Sequence, residues 1–210
     1  MENQKTHTTS RDIKARTTKE RVFKAAIHLF RQYGYDSVTI DDIAKEAKVS
    51  KGTFYLYFDT KEAVLVKQFG LMDAFYRRSA REIPTDQPVD RQLLSFLMGM
   101  CEYCARTCGV NIIKILYSHQ ISIGTHPELL NNKKRSIYKI LHYYVREGRA
   151  RGAFKTSLSD EQITEVISRA IHGFFYDWCL YDGSFDIIKE SGPYFSGILS
   201  LIQAENEAAL

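Results

Sequence analysis

Between residues 50 and 61 the sequence gathers Ser50, Lys51, Thr53, Tyr55, Tyr57 and Lys61 around Gly52. Hydroxyls, phenols and ammonium groups are what hold phosphate oxygens, and a glycine lets a backbone partner come close. Phe54 and Phe58, four residues apart, fall on the opposite side and supply an inner face. A short helix with aromatics on one side also suits a protein core, so these residue types by themselves leave both readings open.

Sulfur forms the second constellation. Cys101, Cys104 and Cys108 are spaced i, i+3, i+7 along one helical stripe, and Cys179 lies on another helix. A thiol switch or a soft-metal site needs such proximity. The stripe also continues Leu94 and Leu97, which makes it equally a packing surface. The 6 histidines show no metal-ligand spacing. Neither a Gly-rich phosphate loop, nor a zinc signature, nor a nucleophile elbow occurs, so no cofactor and no enzymatic activity are expected.

Helical elements must position these groups, because apolar residues recur at helical rather than alternating spacing. Thr17 and Glu20 form a capping-box pattern before a first helix over 18–33 that Gly34 ends. Thr39 and Asp42 cap a second helix over 40–47, and Ser50 caps a third reaching Tyr57. A fourth runs over 60–83. After Pro84 and Pro88 a fifth covers 89–107, apolar on nearly all sides except a strip with Gln92, and therefore belongs inside a bundle. Further helices are expected over 110–123, 128–147, from the Ser159–Gln162 cap to 181, and over 185–204. Pro193 either kinks the last one or marks its true start after Gly192. The class is all-α, with about nine helices.

Composition agrees with an ordinary globular chain: 44% hydrophobic, 26% charged. The longest apolar run, over 93–101, falls short of the roughly 20 residues needed to cross a bilayer, and the polar N-terminus lacks a secretory h-region. A cytoplasmic protein with no membrane partner is expected. Net charge is only +4, but residues 1–60 carry 11 Lys/Arg against 8 Asp/Glu, whereas residues 61–210 carry 18 against 17. The basic excess sits near the N-terminus, as a solvated arm or as one drawn to phosphates.

Two short helices joined by a tight turn describe a helix-turn-helix, whose second helix enters the major groove. The stretch AAIHLFRQYGYDSVTIDDIAKEAKVSKGTFYLYFDTKEAVL, with Ala26, Phe30, Gly34, Tyr35, Thr39, Ile43, Ala44, Ala47, Val49, Ser50, Gly52, Tyr55, Phe58, Lys61 and Glu62, resembles the N-terminal DNA-binding domain of the TetR (AcrR-like) family of bacterial transcriptional regulators. The resemblance implies that Thr39 caps the second helix and touches a phosphate. It implies that Ser50, Lys51 and Gly52 meet the duplex, that Thr53 and Leu56 face bases, and that Tyr55, Tyr57 and Lys61 grip phosphates. Tyr57 stands where the family often has histidine. Beyond this stretch the chain matches the family only in helix count, length and the turn over 148–154.

The resemblance further implies a small-molecule pocket in the C-terminal half and a homodimer joined by the last two helices. Aromatic candidates for the pocket are Tyr103, Tyr117, Tyr138, Tyr144, Phe174 and Trp178. Candidates for the dimer interface are Ile167, Ile171, Phe175, Tyr194, Ile198 and Ile202. The expected organisation is a flexible basic arm over 1–16, a helix-turn-helix domain over 17–60, and a ligand-binding and dimerisation domain over 61–210. The expected activity is repression at a palindromic double-stranded DNA operator, relieved by a small hydrophobic or aromatic effector. Alternatives are an activator, a ligand-independent regulator, or a helical thiol or metal sensor.

Overall fold

The computed structural model describes residues 9–123 and 132–203. Every regular element among them is helical, and they divide into two compact units, Met1–Lys67 and Gln68–Leu210.

The first unit opens with α1, Ser10–Tyr33. Its start lies eight residues before the expected Thr18, because Thr9 and Asp12 make the capping box instead of Thr17 and Glu20. Thr17 lies inside the helix, its hydroxyl donating to the Ile13 carbonyl at 2.9 Å. Glu20 accepts from Lys67 Nζ at 2.7 Å. Residues 10–16, expected in the flexible arm, are therefore helical, and residues 1–8 of that arm lie outside the described residues. Val22, Phe23, Ala26, Leu29 and Phe30 form the buried stripe of α1, and Gly34, at φ 82°, ends it.

Helices α2, Ile40–Glu46, and α3, Lys51–Tyr57, follow as expected, behind the Thr39–Asp42 capping box and the Ser50 cap. Lys48, at φ 53°, takes the left-handed conformation that turns the chain between them. Ile43, Ala44, Ala47, Phe54 and Phe58 are buried and hold the two helices against α1. Helix α4, Lys61–Glu82, begins in this unit and continues into the second.

In the second unit α5, Val89–Tyr103, packs against α7, Ser136–Ala150, and α9, Ile187–Gln203. Helix α8, Asp160–Leu180, packs against α7 and α6, Val110–Ile123. Leu93, Phe96, Leu97, Met100 and Cys101 of α5 are buried, as a central helix requires. Gln92, expected in the polar strip, is buried too, and donates to the Gln87 carbonyl at 2.7 Å. The expected continuation of α5 to 107 is instead a π-helical turn, Cys104–Cys108. The Gly109 amide closes it on the Cys104 carbonyl at 2.8 Å.

Helix α7 starts at Ser136 rather than 128: Asn132 Oδ1 accepts the Lys134 amide and forms a turn over 132–135. Residues 128–131 of that expected helix lie outside the described residues. Ser159 and Gln162 form the expected capping box of α8. Helix α9 begins at Ile187 and carries Pro193 within it, so it does not start after Gly192. Asp186 Oδ1 accepts the amides of Ile188 and Lys189 and fixes that start. Among the described residues no helix is long and apolar enough to cross a membrane.

Candidate functional site

Helix α3 places its groups by one anchor. Phe54 is fully buried, which turns Lys51, Gly52, Tyr55 and Leu56 outward. Leu56 is 74% exposed and Tyr55 47%. Thr53 and Tyr57 are half-buried at the flanks. Ser50 caps the helix by accepting the Thr53 amide at 3.1 Å, and the two hydroxyls lie 2.9 Å apart. A side chain at Gly52 would meet only Ser50 Oγ, at 3.8 Å. Nothing inside the fold requires glycine there, whereas close approach from outside would.

Lys51 Nζ donates to Asp41 Oδ2 at 2.9 Å on this exposed face. That hydrogen bond, with the attraction of the same carboxylate, raises the lysine pKa. Thr39 is exposed at the N-terminus of α2, its hydroxyl committed to Asp42, whose carboxyl is held low chiefly by the threonine hydroxyl.

Lys61 has a different environment from the one expected of a phosphate grip. Its ammonium donates to the carbonyls of Tyr35 at 2.6 Å and Val38 at 3.0 Å, and lies 4.2 Å from the Tyr35 ring centroid. Burial lowers its pKa. Lys61 therefore ties the loop after α1 to the start of α4. Burial likewise pushes the Tyr35 phenol up to about 12, with Glu62 and Asp36 adding to it.

The second unit holds a partly open cavity of about 650 Å³. Phe69, Met72, Met100, Ile113, Leu116 and Ile171 give it apolar walls. Arg135 lies on its edge, forked onto Asp73 at 3.0 and 3.2 Å and over the Phe69 ring. Glu165 joins Lys133 at 2.8 Å and Arg169 at 3.0 Å.

Of the six aromatic candidates, Tyr117 and Tyr138 line this cavity. Tyr117 Oη lies 3.1 Å from His172 Nδ1, and burial raises the phenol pKa and lowers that of the imidazole. The other four pack elsewhere. Tyr103 stacks on Phe75 at 4.0 Å, Tyr144 lies beside Phe96, Phe174 stacks on Tyr194 at 4.4 Å, and Trp178 meets Phe175 edge-on. Sequence reasoning missed Arg135, His172, Glu165 and the Met72–Met100 wall. The Glu165–Arg169 spacing was the available signal, since i, i+4 charges share a helix face.

The expected interface residues also divide. Ile167, Ile171, Phe175 and Ile202 are buried within their own unit, and Ile171 and Phe175 line the cavity. Tyr194 and Ile198 are half-buried, and the Tyr194 hydroxyl donates to the Ala170 carbonyl at 3.1 Å. The exposed apolar side chains of this region are Tyr176, Leu180, Tyr181 and Leu201. The exposed apolar side chains of α8 thus lie off the 167–171–175 stripe, which is buried.

None of the four cysteines forms a disulfide, and all four are buried. Burial pushes the Cys101 thiol up to about 12 and Cys179 to about 11. Tyr76 Oη lies 3.7 Å from Cys104 Sγ, and Gln68 Nε2 donates to Cys108 Sγ at 3.4 Å. Protonated, buried thiols are poor nucleophiles and poor ligands. Among the described residues no group of three or more His, Cys, Asp or Glu is placed to hold a metal.

The two short helices, the turn at Lys48 and the exposed outer face of α3 define a helix-turn-helix. Residues 22–67 match the sequence profile of bacterial regulatory proteins of the tetR family. Over 62 residues, 30% of this chain but only 20% of the relative, it is 40% identical to the HTH-type transcriptional regulator YuxN of Bacillus subtilis. It is 29% identical over 168 residues to the HTH-type transcriptional regulator YhgD of the same organism, covering 76% of this chain and 83% of the relative. The fold is shared with the transcriptional regulator FadR from Bacillus subtilis in complex with stearoyl-CoA, at TM-score 0.74 and 24% identity, over 89% of this chain and 98% of that one. Residues 22–67 are thus similar to bacterial regulatory proteins of the tetR family, and over most of its length the chain shares the fold of that FadR.

Proposed function

We propose that this regulator is a repressor that binds a palindromic operator as a homodimer and is released when a small hydrophobic or aromatic molecule fills the cavity of its second unit. The observation that carries the reading is the outer face of α3. Lys51, Tyr55 and Leu56 project from a helix whose other side is pinned by Phe54. Ser50, Lys51, Gly52, Thr53, Tyr55, Leu56 and Tyr57 form the DNA-contacting set, with Thr39 and Lys61 supporting it from the neighbouring helix starts. A homodimer would present two such faces about one helical turn apart, roughly 34–36 Å, which favours a two-fold symmetric site. In functional terms residues 17–60 bind DNA and residues 61–210 bind the effector and the partner subunit. Such a protein works in the cytoplasm.

The apolar walls and the Tyr117 and Tyr138 phenols support an amphipathic effector. The FadR of Bacillus subtilis holds stearoyl-CoA, and acyl chains are accordingly the first effector class to test. Release follows from a population shift: an effector that prefers a dimer with mis-spaced recognition helices lowers operator affinity by its own preference between the two states.

The test is fluorescence anisotropy on a duplex enriched by the protein from a random-sequence library. Saturable binding, reversed by stearoyl-CoA or by a hit from a hydrophobic compound set, is expected. Absence of any enriched duplex would overturn the DNA reading, and binding that no cavity ligand alters would overturn the effector reading alone.

A further inference from the structure

We propose that Leu56 reads thymine 5-methyl groups in the major groove, so that methyl packing at one position of each half-site helps set which operator this protein prefers. The inference rests on the DNA-binding reading above and carries it to the chemical group recognised.

Helical geometry supplies the first argument. Phe54 is fully buried, and a residue two positions further along a helix points about 200° away from it. Leu56 is therefore the side chain of α3 aimed most directly outward. At 74% it is also the most exposed large hydrophobic residue among those described. Gly52 lies four residues earlier, on the same ridge, with no side chain to hold the helix away from a groove floor.

Chemistry supplies the second. The other exposed groups of α3 and its cap are donors and a cation, Lys51, Tyr55 and the Ser50–Thr53 hydroxyl pair, with Lys45 and Lys48 exposed on the preceding helix and turn and Asp41 paired to Lys51. The excess of donors and lysines over the single Asp41 carboxylate suits a polyanion, and it commits the exposed apolar side chain on the same helix face to a nucleic-acid groove. A leucine can neither donate to nor accept from a base edge. Of the four bases only thymine offers the major groove an apolar group, its methyl. Set against the polar edge of a guanine, adenine or cytosine, the same side chain would strip water from a donor or acceptor and return nothing. Leu56 thus favours thymine and disfavours the alternatives by one physical effect.

The experiment uses the full chain and a duplex enriched from a random-sequence library, with single thymines replaced in turn by deoxyuridine, which lacks only the methyl. One thymine in each half-site is expected to be sensitive. Its replacement weakens wild-type binding about fourfold, the equilibrium factor for burying one methyl-sized group, and about fifteenfold when both half-sites are changed. Leu56→Ala, a change at the surface that leaves the thermal melt unaltered, binds thymine and deoxyuridine duplexes alike. Thr53→Ser keeps the full difference. The proposal is overturned if no thymine is sensitive, if Leu56→Ala retains the deoxyuridine penalty, or if Thr53→Ser abolishes it. Affinity unaltered by Leu56→Ala would also overturn it, giving the exposed leucine to a protein partner instead. Failure to enrich any duplex would strike the DNA reading itself, a result distinguishable from all of these.

Discussion

Lys51→Ala should weaken operator binding in a way whose salt dependence counts the lost contacts. The ammonium lies on the exposed face of α3, tied to Asp41 at 2.9 Å. Both partners are open to solvent, so the pair contributes little to folding and the variant should melt like the wild type. Each phosphate contact contributes about 0.9 to the slope of log affinity against log salt, hence about 1.8 for a symmetric pair of protomers. Between about 50 and 200 mM salt that difference is worth about twelvefold, so the deficit of the variant should shrink by up to that factor as salt rises. Asp41 moderates the effect, because it competes with phosphate for the same ammonium and itself repels the duplex. Asp41→Asn should therefore tighten binding and steepen the salt slope, and most of its gain should vanish when Lys51→Ala is combined with it. Fluorescence anisotropy over a salt series reads the wild type, both single variants and the double variant. Unchanged affinity and slope in Lys51→Ala, or weaker binding in Asp41→Asn, would refute the reasoning.

Packing sets the remaining expectations. A Cβ added at Gly148 would lie 2.2 Å from the buried Phe154 ring, so Gly148→Ala should cost about 1–3 kcal/mol and lower Tm by several degrees; a calorimetric scan identical to the wild type would contradict this. The Cys101 and Cys179 thiols, pushed up to about 12 and about 11, should resist iodoacetamide at neutral pH until denaturant is added. Their raised values also mean that the stability they support is complete below the ordinary thiol pKa of about 8.5. It is lost as pH climbs toward about 11–12, which urea titrations at rising pH would measure. Leu116→Trp, projecting into the cavity from a wall residue, should abolish release by the hydrophobic effector while leaving duplex affinity within about twofold; retained release would remove the cavity from the account.

Helices α2 and α3 were readable in the sequence because both are held by short-range chemistry. Thr39 with Asp42 and Ser50 with Thr53 are bonds between neighbours, and the Phe54–Phe58 spacing shows the inner face directly. The start of α1 was ambiguous for the same reason. Thr9–Asp12 and Thr17–Glu20 both have capping spacing, and only the three-dimensional partners decide between them, since Glu20 goes to Lys67. The π-helical turn at Cys104–Cys108 has no periodic signature over five residues. The cavity was least legible. Its walls include methionine, leucine and isoleucine that sequence cannot tell from core, while Tyr144, Phe174 and Trp178 satisfy each aromatic criterion and pack elsewhere. Which face of α8 stays exposed depends on what its neighbouring helices cover, which is a tertiary fact.

Hydroxyl-radical footprinting of the full chain on its enriched duplex would probe the reading of α3 at nucleotide resolution. Two protected patches on one face of the DNA, about one helical turn apart and both lost in Tyr55→Ala, are the predicted result. A single patch, or protection that survives removal of the Tyr55 ring, would contradict a paired recognition helix built on that face.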